Sequence, residues 1–123
     1  MCIRDRRAAA RLRAACAAHP YLVAGTGRFC TVVMEHFRAR VFVKTGAEGV
    51  FCAALPEQGL GIAIKCDDGA TRAAEVMMAA MIARHLPLGA ADGALIERLQ
   101  LPVLRNWNGR EVGRLQPAAA LGY

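Results

Sequence analysis

The apolar and polar positions in the middle of the chain predict three short β-strands. In the first, Arg40–Lys44, two valines point to one face of the strand, while Phe42 and the charged residues point to the other. The second, Val50–Leu55, is apolar at every position, which indicates a strand covered on both faces. The third, Leu60–Cys66, carries its large apolar residues on one face and mainly small residues on the other.

The connections between these strands predict an antiparallel sheet. Gly46 and Gly49 bracket a tight turn after the first strand, and Pro56–Gly59 forms a turn after the second. A parallel pair of strands needs a crossover of about a dozen residues or more, and neither connection is that long. The three strands are therefore expected to form an antiparallel meander.

Four segments outside the meander have the composition or spacing of helices. Residues 7–18 are rich in alanine and arginine and end before Pro20, which disfavours helical geometry in the residue ahead of it. Phe29–Phe37 has apolar residues at helical spacing, and Ala70–Leu86 has so few polar positions that most of its circumference should be buried. Gly93–Gln100 is the last of the four. With the meander, they predict an α+β fold in which an antiparallel sheet is flanked by helices.

The two ends of the chain lie outside these patterns. Leu104–Leu115 contains Asn108-Gly109, a pair that favours a type I′ turn, and this predicts a small hairpin or an extended edge segment. Residues 1–6 fit neither a helix cap nor a periodic pattern, and we interpret them as a non-native start. The remaining residues, 7–123, are expected to belong to a single domain.

The basic charge of the chain is concentrated near its N-terminus. Five of the 16 basic residues stand in the first 13 positions, so the rest of the sequence is close to neutral despite the net charge of +6. Aromatic residues make up only 6% of the sequence, which leaves few platforms for stacking bases. We therefore expect no nucleic-acid partner.

The apolar residues and the cysteines indicate the cellular compartment of the protein. Apolar residues make up 55% of the sequence, yet no run approaches the roughly 20 residues of a membrane span. The arginine-rich N-terminus also lacks the apolar core of a secretory signal, so we expect no membrane partner and a cytoplasmic location. The five cysteines include no Cys-x-x-Cys pair, which indicates reduced thiols and neither a disulfide framework nor a zinc site.

The segment Lys44-Thr45-Gly46 is the first candidate for chemistry. A lysine at a strand end can hold a substrate carboxylate or help to deprotonate a serine, a threonine hydroxyl can donate a hydrogen bond, and a glycine lets substrate approach the backbone. From spacing alone, a solvated lysine is the alternative. Glu48, in the turn that follows, could neutralise Lys44, bind a substrate ammonium group, or be an exposed turn residue.

The other titratable residues carry less specific patterns. Asp67 and Asp68 could act as a pair of carboxylates in acid–base chemistry, but capping of the helix that follows is the favoured interpretation. His19, His36 and His85 are scattered, without ligand spacing, and are interpreted as structural or surface histidines.

Several blocks of the sequence resemble one enzyme family. They are His19–Thr31 (HPYLVAGTGRFCT), Val43–Gly49 (VKTGAEG), Ile64–Ala73 (IKCDDGATRA) and, near the end, Asn106–Gly109 (NWNG). Together they resemble the rhizobial type II L-asparaginases over about residues 7 to 117.

The resemblance implies a fold, an activity and roles for particular residues. The family hydrolyses L-asparagine to L-aspartate and ammonia, with a fold similar to that of the serine β-lactamases and glutaminases. By this match Lys44 would assist a nucleophilic serine and help to position the substrate carboxylate, while Thr45, Gly46 and Glu48 would line the pocket. L-asparagine is the small-molecule substrate that the resemblance implies, and the complete protein would be a homo-oligomer in which zinc is possible.

The chain departs from the family in what it lacks. It contains no serine, so the family's Ser-x-x-Lys motif and its Cys-Ser-Gly-Lys-His zinc segment are both missing. Family members are also longer. We therefore expect residues 7–123 to be the C-terminal part of an asparaginase-like domain, inactive alone and without a cofactor of its own. The alternatives are part of another serine acyl-transferase of the same fold, of the glutaminase or penicillin-binding type, or a small basic nucleic-acid-binding module.

Overall fold

A computed structural model describes the backbone of residues 3–121 and the side chains of residues 5–121. Within these residues the chain forms α-helices, short 3-10 helices and β-strands in an α+β arrangement. The α-helices are α1 (Ile3–Ala18), α2 (Pro20–Ala24), α3 (Phe29–Phe37), α4 (Thr71–His85) and α5 (Ala90–Gln100). The strands are β1 (Phe42–Thr45), β2 (Val50–Leu55), β3 (Leu60–Lys65), β4 (Val103–Arg105) and β5 (Glu111–Arg114). The 3-10 helices are Arg38–Arg40, Pro56–Gln58 and Ala119–Leu121.

The strands form one three-stranded sheet, in the order β1-β2-β3, and one two-stranded sheet, β4-β5. Residues 46–49 join β1 to β2, and residues 56–59 join β2 to β3. Connections this short require antiparallel neighbours, so the predicted meander and the α+β class are confirmed. The first strand begins later than predicted, because Arg40 closes a 3-10 helix ahead of it.

The burial of β2 contradicts the prediction that this strand is covered on both faces. Phe51, Ala53 and Leu55 are buried, whereas Cys52 on the opposite face is exposed and Ala54 is half-buried. The prediction was wrong because small apolar side chains such as these tolerate an outer face at little cost. The apolar composition of a strand therefore does not establish that both of its faces are covered.

The chain divides into two compact units, the first of which comprises Met1–Lys44 and Cys52–Gly61. In this unit α2 packs against α3, whose buried residues include Val33 and Phe37. Thr31 is buried and donates its hydroxyl hydrogen bond to the carbonyl of Gly25 at 2.6 Å, which ties α3 to the turn after α2. Pro20 ends α1, as predicted. It also begins α2, a helix that was not predicted, because proline suits the first position of a helix.

The first residues of the chain extend α1 beyond its predicted start. Of residues 1–6, interpreted as a non-native start, the first two lie outside the described residues, and Ile3 already belongs to the helix. Whether these residues are native stays a prediction.

The second unit comprises Thr45–Phe51 and Ile62–Tyr123. Here α4 packs against α5, and every residue from Ala73 to Ala83 is buried or half-buried, as the few polar positions of this helix predicted. Arg84, near the end of α4, donates a hydrogen bond to the carbonyl of Ala120 at 3.5 Å. The helix α5 begins at Ala90, earlier than predicted.

A hairpin of β4 and β5 ends the second unit, so the small hairpin, one of the two predicted alternatives, is confirmed. Gly109 takes left-handed backbone angles, with φ of 75°, but Asn108 does not, so the turn is not of the type I′ that this residue pair favours. The turn is instead held by Asn106, whose side-chain oxygen accepts hydrogen bonds from the amides of Asn108 and Arg110 at 3.0 Å each. Trp107 projects from this turn and is fully exposed.

Candidate functional site

The lysine of the candidate segment stands where β1 ends. The alternation of this strand buries Val43, so that Lys44 beside it is exposed and Thr45 is half-buried. The turn that follows is closed by two backbone hydrogen bonds, from Gly46 to the carbonyl of Val50 at 2.8 Å and from Val50 to the carbonyl of Ala47 at 3.1 Å. The predicted arrangement, a strand-end lysine followed by a tight turn, is confirmed.

Glu48 adopts a backbone conformation that its residue type disfavours. Its φ is 57°, in the left-handed region, where a residue with a side chain is strained by about 1–2 kcal/mol. Its side chain is exposed. The sequence predicted a turn here but not which residue would carry the strain.

At the neighbouring position 49, both the backbone angles and the close contacts require a glycine. Gly49 has φ of +67°, and a Cβ at this position would lie 2.9 Å from the Cβ of Cys66 and 3.0 Å from the carbonyl carbon of Gly69. Real Cβ contacts are essentially never shorter than 3.0 Å. The Cys66 amide also donates a hydrogen bond to the carbonyl of Gly49 at 3.0 Å, so residues 46–49 (turn 46–49) and residues 66–69 (turn 66–69) are held directly against each other.

Gly69 completes this contact from the other side. Its φ is +70°, its amide donates to the carbonyl of Cys66 at 3.1 Å, and a Cβ here would lie 3.3 Å from Oε2 of Glu48. Sequence reasoning missed the place of Gly69 beside Glu48. The one available signal was that each of the two turns ends in an acidic residue followed by glycine.

The charges of turn 66–69 act on the thiol at its start. Burial raises the pKa of Cys66, and the carboxylate of Asp68 raises it further, while Lys65 lowers it and Asp67 adds a smaller increase. A protonated, buried thiol is a poor nucleophile, so Cys66 serves packing in this arrangement. Lys65 donates a hydrogen bond to the carbonyl of Cys66.

The aspartates of this turn support the local backbone. Oδ1 of Asp68 accepts a hydrogen bond from the amide of Ala70 at 2.9 Å, which stabilises the turn immediately before α4. The N-cap of that helix is Ala70 and no side chain caps it, so the predicted capping by the aspartates was wrong: Asp68 stands two residues before the cap and its side chain bonds the Ala70 amide instead. Both aspartates are exposed.

The residues that were predicted to line the site all belong to one strand end and the turn that follows it. Thr45 donates its hydroxyl hydrogen bond to the carbonyl of Gly46 at 3.3 Å, and Glu48 follows in the same turn. The three histidines stand on other elements: His19 precedes α2, His36 is on α3, and His85 ends α4.

The side chains do not provide a metal centre in the described part of the chain. Among residues 5–121, no three His, Cys, Asp or Glu side chains come together as a group that could hold a metal ion. The zinc implied by the resemblance therefore does not fit the residues described here. In the same part of the chain, no helix combines the length and apolar character needed to cross a membrane.

Comparison with known proteins identifies the family. The sequence profile described as L-asparaginase II matches residues 3–117, a span that includes the lysine of β1 and both turns. No curated protein matches the chain. The resemblance seen in the sequence blocks is confirmed, and the chain belongs to the L-asparaginase II family.

Proposed function

We propose that this chain forms the lysine-bearing wall of an asparaginase active site, whose substrate is the side-chain amide of L-asparagine. The observation that carries the proposal is the exposed Lys44 at the end of β1, followed by the closed turn 46–49, within a chain that the family profile spans almost completely. Thr45, Gly46 and Glu48 line the same wall. Lys44 assists the nucleophile and helps to hold the substrate carboxylate.

The proposed reaction is a serine acyl transfer. The hydroxyl oxygen of a serine adds to the amide carbonyl carbon, and Lys44 assists the transfer of the hydroxyl proton to the amide nitrogen. The carbon–nitrogen bond then breaks, ammonia leaves, and an ester to serine remains. Water adds to that ester, and its oxygen becomes part of the new carboxylate of L-aspartate. One of its protons returns to the serine oxygen, and the other is released to solvent or to the ammonia.

The nucleophile in this proposal comes from outside the 123 residues, because they contain no serine. The chain alone is therefore proposed to be inactive. The α+β arrangement, with a three-stranded sheet and the long, largely buried helix α4, supports the further proposal that it is the C-terminal portion of a fold like that of the serine β-lactamases and glutaminases. No step is routed through zinc.

The experiment that tests the proposal measures ammonia release. The chain alone is compared with the same chain joined to the protein sequence encoded upstream of it, here called the reconstituted amidase. We expect ammonia from L-asparagine with the reconstituted amidase and none with the chain alone. Hydrolysis of L-glutamine or a β-lactam, with L-asparagine untouched, would instead identify another member of the serine acyl-transferases.

A binding titration addresses the remaining alternative. A fluorescent single-stranded oligonucleotide is titrated with the chain at about 50 mM salt, where binding through phosphate contacts is strong. We expect no saturable binding, since most of the net positive charge stands in the first 13 positions and the rest of the sequence is nearly neutral.

A further inference from the structure

We infer that Glu48 recognises the α-ammonium group of the substrate and that Gly69 is the positioning residue that leaves room for its carboxylate. This inference rests on the proposed function and deepens it, because it assigns the residue that distinguishes a substrate with a free α-amino group from an amide without one. It begins from the contact between turn 46–49 and turn 66–69.

The carboxylate of Glu48 is exposed and available to a ligand. Among the side chains described, none donates a hydrogen bond to it or forms an ion pair with it. An ammonium group is the complementary partner of such a carboxylate, and a charged hydrogen bond between them is stronger than a neutral one.

The backbone of Glu48 is held in a strained conformation by its surroundings. A φ of 57° persists in a residue with a side chain only where neighbouring contacts fix it. Those contacts are on the next residue: Gly49 accepts the hydrogen bond of Cys66 at 3.0 Å and lies against the backbone of Gly69. Turn 66–69 therefore helps to fix the backbone from which the Glu48 side chain projects.

Gly69 lies against the carboxylate of Glu48. A Cβ on Gly69 would stand 3.3 Å from Oε2 of Glu48, tighter than nine in ten real contacts of a Cβ atom, so a side chain there would push the carboxylate aside by a few tenths of an ångström. Gly59 provides the contrast within the same chain. Its φ of +61° is equally left-handed, but a Cβ there would meet no atom within 4 Å.

The carboxylate of Glu48 suits a substrate that carries a free α-amino group. With Glu48 on the ammonium group, L-asparagine gains a charged hydrogen bond that an amide with the carboxylate alone cannot make.

The test compares two substrates in the reconstituted amidase. L-asparagine and succinamic acid have the same side-chain amide and the same carboxylate, but succinamic acid lacks the α-amino group. We expect Glu48→Gln to lower kcat/KM for L-asparagine by about 10- to 100-fold, the loss typical of a hydrogen bond to a charged group. With succinamic acid the same variant should change kcat/KM by less than about threefold, since no ammonium is there to lose its partner.

Matched variants separate recognition from general damage. Glu57→Gln changes an exposed turn glutamate away from turn 66–69 and should leave both substrates unaffected. Gly69→Ala should also lower kcat/KM selectively with L-asparagine, but by a smaller factor, about two- to fivefold, because the carboxylate is displaced only slightly, whereas Gly59→Ala should not. Circular dichroism establishes that each variant folds, and if Gly69→Ala does not, the two glutamate variants decide.

The outcomes distinguish this inference from the proposal beneath it. If the unsubstituted reconstituted amidase releases no ammonia from L-asparagine, the proposed function fails. If it is active but Glu48→Gln affects L-asparagine and succinamic acid equally, or affects neither, the function stands and the ammonium assignment is overturned.

Discussion

The closest backbone approach in the candidate site predicts a specific loss of stability. Replacing Gly49 with alanine forces a side chain onto a residue with φ of +67°, which costs about 1–2 kcal/mol. The new Cβ would also lie 2.9 Å from the Cβ of Cys66 and 3.0 Å from the backbone of Gly69, and overpacking of this kind costs about 1–3 kcal/mol more. Gly49→Ala is therefore expected to lower the free energy of unfolding by about 2–5 kcal/mol.

Gly59→Ala is the matched control for this prediction. It carries the same backbone penalty at φ of +61° but meets no atom within 4 Å, so it should lose only about 1–2 kcal/mol. Urea denaturation followed by far-ultraviolet circular dichroism measures both losses, and the difference should be at least about 1 kcal/mol. Equal losses in the two variants would refute the close packing of turn 46–49 against turn 66–69.

Three further predictions concern burial and ionisation. In urea denaturation, Phe51→Ala should lower the free energy of unfolding by about 3–5 kcal/mol, because this side chain is buried. Cys52→Ala, on the open face of β2, should lower it by less than about 0.5 kcal/mol. Similar losses in the two variants would contradict the one-sided burial of that strand. Burial raises the folded-state pKa of Cys66, so the stability this thiol contributes is fully present below the ordinary cysteine pKa, about 8.5, and declines as pH rises above it. In denaturation measured from pH 7 to pH 10, Cys66→Ala should flatten that decline, and an unchanged slope would count against the buried thiol. Trp107, the single tryptophan, should emit like a fully hydrated indole and be quenched readily by iodide, and a blue-shifted, protected emission would show that the hairpin turn is covered.

Local periodicity was enough to predict most of the elements. The bounds of α3 match the prediction, Phe29–Phe37, because its apolar spacing and the preceding glycine turn are both encoded within a few residues. The strands and α4 were also located, since alternation and a near-absence of polar positions are strong local signals. The lysine at the end of β1 followed directly from this placement.

Contacts between distant segments could not be predicted in the same way. The approach of Gly49 to Gly69 joins turns that are separated by the length of β2 and β3, and nothing in either turn alone specifies the other. The strain in Glu48 follows from that approach. The open face of β2 was missed for a related reason, because whether Cys52 is covered depends on what packs over the sheet and not on the residue itself.

The central claim is that Lys44 contributes to amide hydrolysis, and the chain provides its own control. Its two lysines are Lys44, at the end of β1, and Lys65, which donates a hydrogen bond to the carbonyl of Cys66. The most direct measurement is therefore the rate of ammonia release from L-asparagine by the reconstituted amidase carrying Lys44→Ala or Lys65→Ala. The account predicts a loss of at least about 100-fold for Lys44→Ala, the scale of an assisting acid–base group, and little change for Lys65→Ala. A loss of less than about threefold for Lys44→Ala, under about 0.7 kcal/mol in the barrier, would contradict it.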